Sequence, residues 1–101
     1  MKFDANDGGE KTNKLGSKVT VKGEGTKANT EYSGTNIKTI IAQTGDDTTI
    51  DVKLAKDLTG INSISNTAAG PKMEFGPNSI NITNGPINMG DQNITNLKSG
   101  G

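Results

Sequence analysis

The first side chains to test for chemistry are two neighbouring carboxylates, Asp46 and Asp47. Paired carboxylates do general acid–base work when burial or close approach makes one hold its proton and the other lose it. Adjacent residues at a hairpin tip point in different directions and stay hydrated, so this pair lacks that arrangement. The chain has no His, Cys or Arg, which removes the usual activators of a nucleophile and the usual partners of an oxyanion. No catalytic residue and no enzymatic activity are expected.

Three further motifs invite chemistry. Asp4, Asn6, Asp7 and Glu10 have the look of calcium ligands, but a true loop needs a ligand at its fifth position and Glu at its twelfth. Those positions hold Gly8 and Leu15, so a solvated acidic turn is expected. Gly23-x-Gly25-x-x-Ala28 after Val19-Thr20-Val21 matches the outline of a dinucleotide fingerprint. That mechanism needs a helix N-terminus aimed at the pyrophosphate, and Asn29-Thr30-Glu31-Tyr32-Ser33-Gly34 is a poor helix start. A turn is expected there, with no cofactor and no metal. Asn81-Ile82-Thr83 and Asn93-Ile94-Thr95 fit a glycosylation acceptor, yet repetition of one structural word, Asn-Ile-Thr-Asn at 81–84 and 93–96, accounts for both. Tyr32 and the lysines could touch a ligand, although a lone Tyr is more often structural.

The elements carrying these residues read as short strands. Residues 1–17 are polar and read as an irregular lead-in. Val19 to Val21 alternates and stops at Gly23, as a short strand does. Ile37 to Ala42 is β-branched, and Ile50, Val52 and Leu54 alternate with Asp51 and Lys53. Joined by Gly45-Asp46-Asp47, the two runs predict a β-hairpin with one apolar face. Residues 55–59 are compatible with one helical turn ending at Gly60. Met73-Glu74-Phe75 and Ile80-Asn81-Ile82 are two more alternating fragments. Pro71, Pro77 and Pro86 each adjoin Gly and mark bends. The spacing of Ile94 and Leu97 is compatible with the start of a helix.

Composition explains how such thin elements must be stabilised. Apolar residues make up 29% of the 101, with no Trp, and 11 Lys balance 11 acidic residues. The low apolar content points toward disorder, but the zero net charge does not. One such chain would struggle to offset an ordering cost of about 1–2 kcal/mol per residue. From Gly76 to Leu97 nearly every apolar residue is set apart by Asn, Thr, Gly or Pro. This pattern suits chains that share one core around an axis. Without Arg or a basic excess, nucleic acid is not an expected partner. No apolar run approaches the ~20 residues of a membrane-spanning helix, and the polar start and Gly-rich end read as the edges of an excised fragment.

Gly85-Pro86-Ile87-Asn88-Met89-Gly90, followed by Ile94-Thr95-Asn96-Leu97, resembles the start of the neck motif of trimeric autotransporter adhesins, surface proteins of Gram-negative bacteria. Upstream, Lys56-Asp57-Leu58-Thr59-Gly60-Ile61-Asn62-Ser63-Ile64 resembles the junction at which that family's Gly-Ile-Asn module begins. Residues 32–39 and 49–52 resemble the β segments of its tryptophan-ring module, although the chain contains no Trp. The Asp-Ala-Val-Asn stretch that completes the neck does not occur before Gly101.

The resemblance implies an all-β, intertwined homotrimer, prism-like and tapering through a neck toward a coiled coil. It implies a tryptophan-ring-like module over 1–57, a Gly-Ile-Asn-like module over 58–86 and the start of a neck over 87–101. Ile80, Ile82, Ile87, Asn88, Gly90, Ile94, Asn96 and Leu97 would line the trimer core and neck. The implied setting is the bacterial cell surface, with membrane attachment only through a C-terminal anchor outside this fragment. The implied partners are two further copies and a host-cell or extracellular-matrix receptor. The implied role is to present or space adhesive domains. Direct receptor binding by this segment, with unspecified residues, and a phage-type trimeric fibre are the alternatives.

Overall fold

The computed structural model describes residues 1–99, which divide into a compact unit over 1–32 and a second beginning at Ser33. The described chain is all-β, with small antiparallel sheets and no α-helix. Each unit is built differently.

In the first unit, β1 (Lys2–Phe3) pairs with β2 (Lys11–Thr12). This ribbon corrects the expected irregular lead-in. Between its strands, Gly8 and Gly9 adopt positive φ of 97° and 76°, the left-handed backbone that a sharp return needs. The ladder is extended by the Asn13 amide donating to the Met1 carbonyl at 2.8 Å. Val19 to Val21 forms no strand, because no neighbouring segment pairs with it. Alternation favours a strand only where a partner offers its hydrogen bonds. A single 3₁₀ turn, Asn29–Glu31, closes the unit.

The second unit holds two sheets. β3 (Ile37–Thr44) and β4 (Asp47–Leu54) form the expected hairpin, extended to eight residues per strand. Its loop is only Gly45-Asp46, since Thr44 pairs with Asp47. Positive φ at Gly45 alone fits a type II′ turn, whose twist matches that of the strands. Asp47 is thus a strand residue rather than part of the loop.

The other sheet has the order β5 (Ser63–Ser65), β6 (Lys72–Phe75), β7 (Ile80–Thr83), all antiparallel. The alternating fragments at 73–75 and 80–82 are its second and third strands. β5 carries one apolar residue among serines, and pairing rather than pattern makes it a strand. Residues 55–59 bend without a helical turn. No helix starts near Ile94 either, and the left-handed φ of 58° at Asn96 interrupts the helical path.

One packing contact constrains the exit from the last strand. A side-chain Cβ placed on Gly85 would lie 2.7 Å from Pro71 Cγ and 3.2 Å from Pro71 Cβ. A proline ring cannot rotate away, so Gly85→Ala is expected to cost about 1–3 kcal/mol through overpacking. Thermal melting checks this, and Pro71→Ala in the same chain should recover most of the loss.

Candidate functional site

The registers separate each sheet of the second unit into two unlike faces. Directly paired residues share a face. In the hairpin, the pairs Ile37–Leu54, Thr39–Val52 and Ile41–Ile50 make one face largely apolar, with the polar pair Gln43–Thr48 at its turn end. The opposite face carries Lys38–Lys53, Ile40–Asp51, Ala42–Thr49 and Thr44–Asp47. In the three-stranded sheet, Ile64, Met73, Phe75, Ile80 and Ile82 line one face. Ser63, Ser65, Lys72, Glu74, Asn81 and Thr83 line the other, where Thr83 Oγ1 donates to Glu74 Oε1 at 3.2 Å.

Neither apolar face is covered. No hydrophobic residue among those described is buried, and Phe75 is 37% exposed. The chain exposes 10089 Å². A compact monomer of 10.5 kDa would expose about 5,400 Å², and two separately compact units of these lengths about 6,500 Å². Fully burying an Ile, Leu, Phe or Met side chain contributes about 1.5–3 kcal/mol. That contribution is unrealised at residue after residue here, while a two-stranded hairpin alone is marginal in water.

The residues expected to line a core and neck fall in two groups. Ile80 and Ile82 share the apolar face of β7, with Ile82 half-buried and Ile80 exposed. Ile87, Ile94 and Leu97 lie beyond the last strand and are exposed, Leu97 by 77%. Asn88 Oδ1 accepts the Gly90 amide at 2.8 Å, forming a local turn, and Gly90 and Asn96 both have left-handed backbone. Residues 84–99 therefore form irregular chain with local turns, presenting isolated apolar side chains.

The residues singled out for chemistry are locally engaged. Asp4 and Asp7 each accept the amide of the following residue, Ala5 at 2.9 Å and Gly8 at 2.8 Å. Glu10 instead meets Lys2 at 3.5 Å in an exposed ion pair, worth little in water. The Tyr32 hydroxyl accepts the Lys27 amide at 3.2 Å, and the ring lies where a side chain on Gly25 would stand. Tyr32 thus has a structural contact within its own unit. It also gives Gly25 a packing role in irregular chain rather than in a tight turn.

One device escapes sequence reasoning. The Asn36 side-chain amide donates to the Thr59 carbonyl at 2.9 Å and accepts the Thr59 amide at 3.1 Å. Together with Ala55 N donating to Asn36 O at 2.7 Å, it clasps the open end of the hairpin to the Asp57-Leu58-Thr59-Gly60 segment. Asn36→Ala should remove both side-chain bonds and cost about 1–3 kcal/mol, read as a lowered melting temperature. Asn36→Asp, which keeps only the acceptor, should restore little.

No family profile, characterised protein or solved structure matches this chain.

Proposed function

We propose that this chain is a structural segment of a trimeric autotransporter adhesin, which presents or spaces adhesive domains at the surface of a Gram-negative bacterium. The observation that carries the proposal is the pair of uncovered apolar faces, on the hairpin and on the three-stranded sheet, in a chain without a core of its own. Three copies around an axis would bury these faces against one another and shield the strand edges, giving a prism-like core. The isolated Ile87, Ile94 and Leu97 would each recur three times as the assembly narrows into a neck. Their resemblance to the family's neck motif, and that of residues 56–64 to its Gly-Ile-Asn junction, selects this family.

Function in this reading is mechanical. No side chain performs chemistry, and the work is done by rigidity and by threefold display of whatever the fibre carries. Light scattering on the purified chain tests the assembly. The role in adhesion is tested by deleting this segment from the full-length protein and measuring attachment of the bacteria to host cells. Attachment should fail while export continues, and unchanged attachment would contradict a presenting role.

A further inference from the structure

The polar face of the hairpin has an uneven charge distribution that the structural role does not use. Register places Lys38 directly opposite Lys53, an arrangement that repels across a sheet. Lys56 stands at the same open end, where a shallow groove of ≈ 400 Å³ is lined by all three lysines, by Thr35 and Ile40, and by Ile37 and Leu54 from the apolar pairs. Asp51 is the one carboxylate on that face near them, opposite Ile40, and it forms no ion pair with any of the three. Among the described residues the single ion pair is Lys2–Glu10. With Asp57 next in sequence to Lys56, three cations stand near two carboxylates, which leaves one surplus positive charge at an open groove, inside a chain of zero net charge.

We propose that the open end of this hairpin binds a polyanionic polysaccharide, with Lys38, Lys53 and Lys56 contacting its sulfate or carboxylate groups. Lysine is a compact point charge without the planar fork of arginine, so it suits single anionic groups spaced along a chain better than bidentate partners. The groove is too open to enclose a small molecule, whereas a polymer can lie across it. The site belongs to one chain. Its multiplicity rests on the threefold assembly proposed above, in which the apolar hairpin face turns inward and the face bearing Lys38 and Lys53 outward, so that three weak sites act together.

The test uses the whole chain and immobilised heparin as the probe, at about 50 mM and about 150 mM salt, where screening differs. The wild type should be retained, more weakly at the higher salt. Lys38→Gln with Lys53→Gln should weaken retention by about tenfold or more, since two charge-assisted contacts are lost. Lys18→Gln with Lys22→Gln, the same charge change in the first unit, should alter it less than about twofold. If the first pair changes the circular dichroism, Lys56→Gln, which lies outside the strands, replaces it. Heparin should raise the melting temperature of the wild type and not of the Lys38/Lys53 variant. Equal weakening by the two double variants, or no retention of the wild type, overturns the site. Equal retention on polyglutamate overturns the choice of a polysaccharide. Light scattering on the same samples separates the two proposals. A trimer that ignores heparin sinks only the site, and a monomer that binds through these lysines sinks only the threefold reading.

Discussion

Ile82→Asp is expected to abolish assembly at every concentration where the wild type is intact. Ile82 lies on β7 opposite Met73, on the face it shares with Ile64, Phe75 and Ile80. If three such faces meet at one axis, the substitution puts three carboxylates into a common apolar interior. Each unpaired buried charge costs several kcal/mol, and symmetry repeats the cost in every copy. Since every ~1.4 kcal/mol is tenfold in an equilibrium constant, the assembly should disappear rather than weaken. Ser65→Asp is the matched control. It adds the same charge to the same sheet, but on the polar face and opposite Lys72, so mass and melting should change little. An Ile82→Asp variant with wild-type mass and melting would show that this face is not shared.

Ile50→Lys should act in the same way through the hairpin. Ile50 pairs with Ile41 on the turn side of the apolar face, which is the only extensive apolar surface that β3 and β4 offer. Thr49→Lys, one residue away, turns its charge to the other face, between Asp47 and Asp51 along the strand, and should be neutral or slightly stabilising. Sedimentation of the two variants beside Ile82→Asp maps the shared core. Dissociation by both substitutions means that one interior runs through both sheets. Dissociation by Ile82→Asp alone would confine the interior to the three-stranded sheet.

The parts of the fold legible in the sequence are those where one strand states its own face. Ile50, Val52 and Leu54 do so without help, and Gly45-Asp46-Asp47 marks the turn, although the register that leaves Asp47 in the strand comes only with the structure. Met73-Glu74-Phe75 and Ile80-Asn81-Ile82 do so between Gly-Pro bends. Elements that exist only through a distant partner were not legible. β5 is Ser-Ile-Ser, and β1–β2 joins Lys-Phe to Lys-Thr; neither is apolar enough to announce a strand. Val19 to Val21 is the reverse case, a strand-like pattern with nothing to pair against.

The spacing of Ile94 and Leu97 misleads for a local reason, because the backbone at Asn96 turns left-handed between them. Asn36 escapes for a different one: its amide bonds a peptide group 23 positions away, and composition carries no trace of that. Of the candidate surface, the apolar residues were legible one by one. What the structure adds is their division between two sheets and the absence of cover on either. The opposition of Lys38 and Lys53 likewise becomes visible only with the register in hand.

All of these consequences descend from a single claim, that the chain completes its core with copies of itself. The most direct measurement is the mass of the purified chain in solution by light scattering, combined with circular dichroism to establish that it is folded. Three times the 10.5 kDa chain mass, maintained on dilution through the micromolar range, is the predicted result. A folded, cooperatively melting species of 10.5 kDa would contradict it.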